Sequence, residues 1–185
     1  MTPDAVQLRP ATLDDASALA EAIRLNRAHM RPWEPWRPES FYTEQGQRAR
    51  LTGLLADRDA GRAVPWLLVD GERVAGGITL TNVAYGPFLS AHLGYWIDAE
   101  YGGRGLATAA VARVCDLART EVGLHRIEAA TLLTNAASQR VLEKCGFEDI
   151  GVAGRYLHID GAWRDHRLFQ RVLFEGEGLV EGAGE

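Results

Sequence analysis

Residues 101–111, "YGGRGLATAAV", decide the fold, because three glycines stand within five positions just ahead of a run typical of a helix. Glycine is a poor helix former, so its density there indicates backbone that something approaches closely. The preceding residues 93–98, "LGYWID", alternate as a strand does. A strand, a glycine-rich turn and a helix start together present free amide N–H groups and the positive end of the helix dipole. The stretch therefore predicts an anion site, and equally fits a tight connection without a ligand.

Two familiar phosphate-binding patterns do not fit this stretch. A Walker loop needs Lys-Ser or Lys-Thr after its glycines, and neither dipeptide occurs in the chain. A dinucleotide fingerprint needs its glycines in an early strand–helix–strand unit, whereas these glycines come after the middle of the chain. The anion would have to be held in another way.

Composition favours one globular enzyme-sized domain, predicted over residues 1–174, with residues 175–185 as a disordered tail. A net charge of −5 argues against broad binding to nucleic acid or an anionic membrane. There is no apolar run of membrane-spanning length and the start of the chain lacks a signal-peptide layout, so the expected compartment is the cytoplasm. Cys115 and Cys145 lie in apolar stripes of predicted helices, which predicts reduced core thiols. No metal site is predicted.

The periodicity of the rest of the chain predicts a mixed α/β domain. The order is one strand, two helices, three strands, a helix, a strand, a helix and two strands. Asp70-Gly71 and Asp160-Gly161 predict hairpin turns, and residues 13–30 read as one helix. Asn135 is placed to cap the last helix and Gly146 to end it.

Two blocks carry a family resemblance. Residues 93–111 resemble the acetyl-coenzyme A (acetyl-CoA) motif of the GNAT acetyltransferase superfamily, Gln/Arg-x-x-Gly-x-Gly/Ala, with Gly105 and Ala107 matching and Gly102 in the place of Gln or Arg. Residues 134–151, "TNAASQRVLEKCGFEDIG", resemble its second pattern, Asn-x-x-Ser-x-x-Val/Leu-x-x-Lys-x-Gly-Phe. The resemblance spans residues 6–173, and is greatest to the RimJ/RimL type, which acetylates the N-terminal alanine of ribosomal proteins.

The resemblance implies a GNAT fold: a mostly antiparallel seven-stranded sheet, splayed between its fourth and fifth strands and flanked by four helices. It implies acetyl-CoA as cosubstrate. Backbone around Trp96 and Ile97 would hold the pantetheine arm and polarise the thioester carbonyl. Amide groups at the helix start would bind the pyrophosphate; these belong to Arg104, Gly105, Leu106, Ala107 and Thr108.

The resemblance also implies which side chains are catalytic. Asn135 would contact the cofactor arm in addition to capping its helix, and Ser138 would protonate the leaving thiolate, with Tyr156 as second candidate. His92 is proposed as the base, because histidine changes charge near neutral pH. Glu34, Glu128 and ordered water are the alternatives for that role, and an exposed structural histidine is the plain alternative for His92.

The acceptor is the least defined partner. Trp33 and Trp36, with Glu34 between them, would form one wall of its site; the plain alternative is that both tryptophans cover the core. The leading hypothesis is direct transfer, in a ternary complex, to the N-terminal amine of a protein or peptide. A small amine such as an aminoglycoside or polyamine, or a regulator that binds coenzyme A without catalysis, are the alternatives, and a homodimer is left open.

Overall fold

The computed structural model describes residues 6–175, which form a seven-stranded sheet and five α-helices. The strands are β1 (Gln7–Pro10), β2 (Val64–Asp70), β3 (Arg73–Ala84), β4 (Ser90–Ile97), β5 (Arg126–Leu132), β6 (Glu148–Ile159) and β7 (Ala162–Val172). The helices are α1 (Ala16–Leu25), α2 (Arg27–Met30), α3 (Glu44–Asp59), α4 (Leu106–Leu117) and α5 (Ala136–Lys144). The predicted tail falls outside the described residues, apart from Glu175.

The order of the strands is β1-β2-β3-β4-β5-β7-β6, and every neighbouring pair is antiparallel except β4 and β5. β4 and β5 pair only from Ser90↔Arg126 to Leu93↔Ala129. Beyond Leu93, β4 continues to pair with β3 alone. The predicted mostly antiparallel sheet with a cleft between its fourth and fifth strands is therefore confirmed.

The prediction of four helices was wrong, because the single helix expected over residues 13–30 is interrupted at Asn26. The Asn26 side chain is buried: its Nδ2 donates to the carbonyl of Ala22, at 2.9 Å, and its Oδ1 accepts from the N–H of Ala99, at 2.8 Å. The amide thus joins the end of α1 to the chain just after β4. The break in the helix serves a tertiary contact that helical periodicity does not reveal.

The helices cover the two faces of the sheet separately. α4 and α5 pack with one group of buried side chains, including Val111, Leu142 and Phe169. α1 and α3 pack on a second group, including Leu19 and Leu51. The cleft between β4 and β5 consequently has a different pair of helices on each side of the sheet.

Cys115 and Cys145 are both buried and free, as predicted. Within residues 6–175, no helix is long and apolar enough to cross a membrane.

Candidate active site

A cavity of about 760 Å³ lies at the cleft, and its walls come from both faces of the sheet. Its walls include the end of β4, the loop before α4, one side of α5, and the segment from α2 to α3. The sequence-predicted residues that line it are Trp33, Glu34, Trp96, Ile97, Gly105, Leu106, Ala107, Thr108, Asn135 and Ser138. His92, Arg104, Trp36 and Tyr156 are not among its lining residues.

The loop before α4 has the geometry of an anion site. Gly105 is the N-cap of α4 in the left-handed region, with φ of 80°, and Gly103 has φ of 73°. The first bond of this helix runs from the N–H of Ala109 to the carbonyl of Gly105, at 3.0 Å. The amide groups of Leu106, Ala107 and Thr108 therefore have no acceptor within the helix, and the glycine N-cap offers no side chain to satisfy them. All three residues line the cavity, so their amides are placed to suit an anionic ligand there.

Buried polar contacts fix this loop in place. Asp98, at the end of β4, is buried and accepts from Arg73 Nη2, at 2.8 Å, and from the N–H of Glu100, at 2.9 Å. Burial by itself raises the pKa of the Asp98 carboxyl, but these hydrogen bonds outweigh it and the pKa is lowered. The hydroxyl of Tyr101 donates to Asp70, at 2.8 Å. The loop is thus preorganised by an ionised carboxylate.

The open edge of β4 presents backbone groups to the cleft. The N–H of Asp98 donates to Ala75 on the β3 side, at 2.9 Å, and the carbonyl of Leu89 accepts from Arg126 on the β5 side. Because successive residues of a strand face opposite neighbours, the amides of Tyr95 and Ile97 face the cleft and that of Trp96 faces β3. The amide expected to contact the pantetheine arm is therefore that of Tyr95 and not that of Trp96. Trp96 lines the cavity with its side chain.

Ser138 is held between a cap and a tyrosine. Asn135 Oδ1 accepts from the N–H of Ser138, at 3.1 Å, which is the predicted N-cap. The hydroxyl of Tyr95 lies 2.7 Å from Ser138 Oγ, across from β4 to α5. Burial raises the pKa of Tyr95 to about 12, so this hydroxyl stays protonated and can act as a donor at neutral pH. Sequence patterns do not reveal Tyr95 as a site residue, since only tertiary structure brings Tyr95 and Ser138 together.

Two cations of α5, Arg140 and Lys144, also line the cavity. Together with Ala137 and Val141 they follow the spacing of one helix face, and that spacing was the signal available in the sequence. Arg104, in contrast, has its guanidinium carbon 5.9 Å from the centre of the Tyr101 ring. The cations that line this side of the cavity therefore come from α5, whereas Arg104 is not among the lining residues.

Two of the proposed bases lie together. His92 Nε2 is 3.1 Å from Glu128 Oε2, and Arg126 Nη2 is 2.7 Å from Glu128 Oε1. His92 and Glu128 are register partners where β4 and β5 still pair. Gly94, two residues further along β4 on the same face, lines the cavity. The imidazole thus stands just before the point where the cleft opens, held by a carboxylate.

The remaining predicted residues are divided between the cavity and the surface. Trp33 ends a 3-10 turn and lines the cavity, whereas Trp36 follows Pro35 in extended chain and is 74% exposed. The Tyr156 ring packs on His166, with 5.5 Å between ring centres, outside the cavity wall. Of the expected aromatic wall, only Trp33 faces the cavity, with Glu34 beside it.

A sheet splayed at its parallel pair, with an anion-binding helix start and a hydroxyl at the opening, defines an acyltransferase that takes its acyl group from a coenzyme A thioester. The family model for the acetyltransferase (GNAT) domain matches residues 6–148, and the chain belongs to that family. The chain is 33% identical to the probable N-acetyltransferase YjcK of Bacillus subtilis (strain 168), over 88% of this chain and 91% of that one.

Two further relatives are of known type. The ribosomal protein uS5-alanine N-acetyltransferase of Escherichia coli (strain K12) is 35% identical over 91% of this chain and 88% of its own length. The Mycobacterium smegmatis RimJ, solved in complex with CoA-disulfide, is 36% identical, with a TM-score of 0.86 over 90% of this chain and 81% of that one. The protein is therefore an acetyl-CoA-dependent N-acetyltransferase of the RimJ-like kind.

The residues present fit acetyl-CoA. Unpartnered amides at the start of α4, the cations Arg140 and Lys144, and the open edge at Tyr95 and Ile97 supply donors suited to phosphates and to an amide-bearing arm. When bound, acetyl-CoA supplies the activated acetyl group.

Proposed function

We propose that this enzyme acetylates the N-terminal α-amine of a protein, of the ribosomal-protein alanine type. The observation that carries the proposal is the 35% identity, over 91% of the chain, to a uS5-alanine N-acetyltransferase. The cavity supports it, because one end is bounded by the exposed segment around Trp33 rather than closed over by the sheet. A chain terminus can enter there while the rest of the substrate stays outside.

In the proposed reaction the amine nitrogen forms a bond to the acetyl carbonyl carbon as the carbon–sulfur bond breaks. An α-amine has a pKa near 8, so a minority is neutral at pH 7 and a modest base suffices. His92, oriented by Glu128, takes the proton of the amine, through water where contact is not direct. The cleft-facing amides of Tyr95 and Ile97 stabilise the developing oxyanion. Ser138, hydrogen-bonded to Tyr95, donates a proton to the thiolate and takes one from water in exchange, so that its hydroxyl is regained.

A polyamine or aminoglycoside acceptor is disfavoured by the charges at the acceptor end. A polycation would need several carboxylates, and the lining residues of that end among the described chain contribute one, Glu34, beside Arg37 and Arg50. A regulator without catalysis is disfavoured by the short contact between Ser138 and Tyr95, which a binding function does not require. Both alternatives enter the test below.

The test is incubation with acetyl-CoA and synthetic peptides that begin with alanine, followed by mass spectrometry and by measurement of released thiol. Matched controls are the same peptides blocked by an N-formyl group, together with spermidine and an aminoglycoside. We expect a gain of one acetyl group on the free peptides and none on the blocked ones. Acetylation of spermidine or the aminoglycoside with none of the peptides would overturn the proposal, and no thiol release with any amine would favour the regulator.

A further inference from the structure

Two arginines face the acceptor end of the cavity together. Arg37 lies in the extended segment between α2 and α3, and Arg50 is on α3. Both line the cavity and both pack on Phe41, with guanidinium carbons 4.7 Å and 5.9 Å from the centre of its ring. Stacking on an aromatic ring leaves the edge of a guanidinium free to form hydrogen bonds.

Neither arginine has a carboxylate partner among residues 6–175. The ion pairs of those residues involve other cations throughout. Arg50 Nη1 lies 3.3 Å from the neutral amide oxygen of Gln47, and Arg37 Nε is buried without any hydrogen-bond partner in the described chain. Both arginines are half-buried, and two unpaired charges of the same sign beside each other are unfavourable.

The electrostatics of the pair agree with this geometry. Burial lowers the pKa of Arg50, and the charge of Arg37 lowers it further, while Glu34 opposes the shift. Burial raises the pKa of Glu34, against the attraction of the two arginines. A guanidinium group carries a positive charge at neutral pH, so the two arginines exceed the one carboxyl group that lines this end of the cavity in the described chain, Glu34, by about one positive charge.

This positive end is separate from the pyrophosphate site. Arg50 belongs to α3, which packs with α1 on one face of the sheet, whereas the glycine loop opens α4 on the opposite face. A charge of about +1 matches a single carboxylate better than a phosphate dianion. Paired guanidinium groups also bind a planar carboxylate with good geometry.

We infer that Arg37 and Arg50 form a subsite for a carboxylate of the acceptor. The inference rests on the proposed acetylation of an amine at this cavity and names a feature of the substrate. The carboxylate is either an acidic side chain close behind the reacting N-terminus or the α-carboxylate of a free amino acid. These two sources share one chemistry and are separated by the choice of substrate.

The first experiment uses the unaltered enzyme. Peptides that begin with alanine carry one Glu at the second, third or fourth position, and each is compared with the same peptide carrying Gln at that position. Free alanine is compared with alaninamide in the same way. We expect kcat/KM for the acid to exceed that for its amide by about 10- to 100-fold at one peptide position or in the alanine pair, as for charge-assisted hydrogen bonds. Equal values for acid and amide in every pair overturn the inference and leave the acetylation of peptides standing.

The second experiment assigns the preference to the arginines. Arg37→Gln and Arg50→Gln should each bring the acid-to-amide ratio close to one, whereas Arg58→Gln, an arginine of the same helix paired with Asp59 at the surface, should keep it. A ratio that survives in both cavity variants overturns the assignment. Thermal melting checks folding, and if Arg50→Gln does not fold, Arg37→Gln and the substrate pairs of the unaltered enzyme decide the result. Acetylation of none of the amines contradicts the proposed function instead.

Discussion

Ser138 illustrates how one residue combines a structural and a chemical position. Its N–H donates to Oδ1 of Asn135, the N-cap of α5, and its hydroxyl contacts that of Tyr95. The residue is therefore held on two sides. A serine hydroxyl is a weak acid, yet a thiolate needs only a hydrogen bond and a late proton. Burial raises the pKa of Tyr95 to about 12, so its hydroxyl stays protonated and can donate a hydrogen bond to Ser138 Oγ.

We predict that Ser138→Ala lowers kcat by about 100-fold and Tyr95→Phe by about tenfold, because each removes part of the proton donor. The KM for acetyl-CoA should change far less, since the amides and α5 cations that we propose bind it are untouched. Steady-state kinetics with a peptide acceptor measures both constants. Tyr85→Phe, at a tyrosine 54% exposed, is the matched control. An unchanged kcat in Ser138→Ala would remove this residue from the mechanism.

A second prediction concerns His92 and Glu128. If His92 accepts the proton of the amine, His92→Ala should lower kcat by about 100-fold at neutral pH, because a positioned general base contributes on that order. Glu128→Gln should lower kcat by about tenfold, because it removes the carboxylate that orients the imidazole from 3.1 Å. Steady-state kinetics with saturating peptide measures both effects. Glu121→Gln, at an exposed glutamate, should leave kcat in place, and an unchanged kcat in His92→Ala would dismiss His92 as the base.

At the scale of elements, the loop between β4 and α4 depends on contacts from distant parts of the chain. Asn26, at the break between α1 and α2, accepts from Ala99, and Arg73 of β3 donates to Asp98. Arg73 also contacts Glu100, so it joins two positions of the loop. These contacts hold the anion site in shape although its glycines are intrinsically flexible.

Asp98→Asn tests this anchor. We predict a loss of about 2 kcal/mol in the free energy of unfolding at pH 7, because a buried charge-assisted hydrogen bond is weakened, and a higher KM for acetyl-CoA. The pKa of Asp98 is lowered in the fold, so the stability it contributes is present above its ordinary value of 3.8 and lost as the pH falls through the lower folded value. The difference in the free energy of unfolding between Asp98→Asn and the unaltered protein should therefore become smaller below about pH 3.8.

Urea unfolding at several pH values measures this difference. Asp116→Asn, at an exposed aspartate of α4, is the control and should differ little from the unaltered protein. Equal stability of Asp98→Asn and the unaltered protein at pH 7 would show that the loop does not depend on this carboxylate.

Local patterns predicted the elements well, because each depends on neighbours in sequence. Asp70-Gly71 and Asp160-Gly161 lie in hairpin turns, with φ of 58° and 79° at the two glycines, and Asn135 caps α5 as expected. The contact of Tyr95 with Ser138, however, joins residues 43 positions apart. Likewise, strand alternation predicts which side chains share a face, but only the register with β3 shows that Tyr95 and Ile97, rather than Trp96, present amides to the cleft.

At the scale of the whole molecule, the splayed pair of strands allows one reaction centre to be reached from both faces of the sheet. Arg140 and the glycine loop lie on the α4 and α5 side, and Trp33 lies on the side of α1 and α3. In the proposed reaction, the two substrates would therefore bind to different parts of the structure and meet at the opening near Tyr95. This arrangement suits direct transfer in a ternary complex, since neither substrate must leave before the other binds.

This arrangement predicts independent effects from changes on opposite faces. Arg140→Gln should raise the KM for acetyl-CoA and Trp33→Ala that for the acceptor peptide, and their free-energy effects on kcat/KM should add to within about 0.5 kcal/mol in the double variant. Tyr95→Phe with Ser138→Ala should deviate from additivity, because these hydroxyls are in contact. A double-mutant cycle at subsaturating concentrations of both substrates measures each coupling. Strong coupling between Arg140 and Trp33 would mean that binding on one face reshapes the other, contrary to the rigid sheet that the cleft requires.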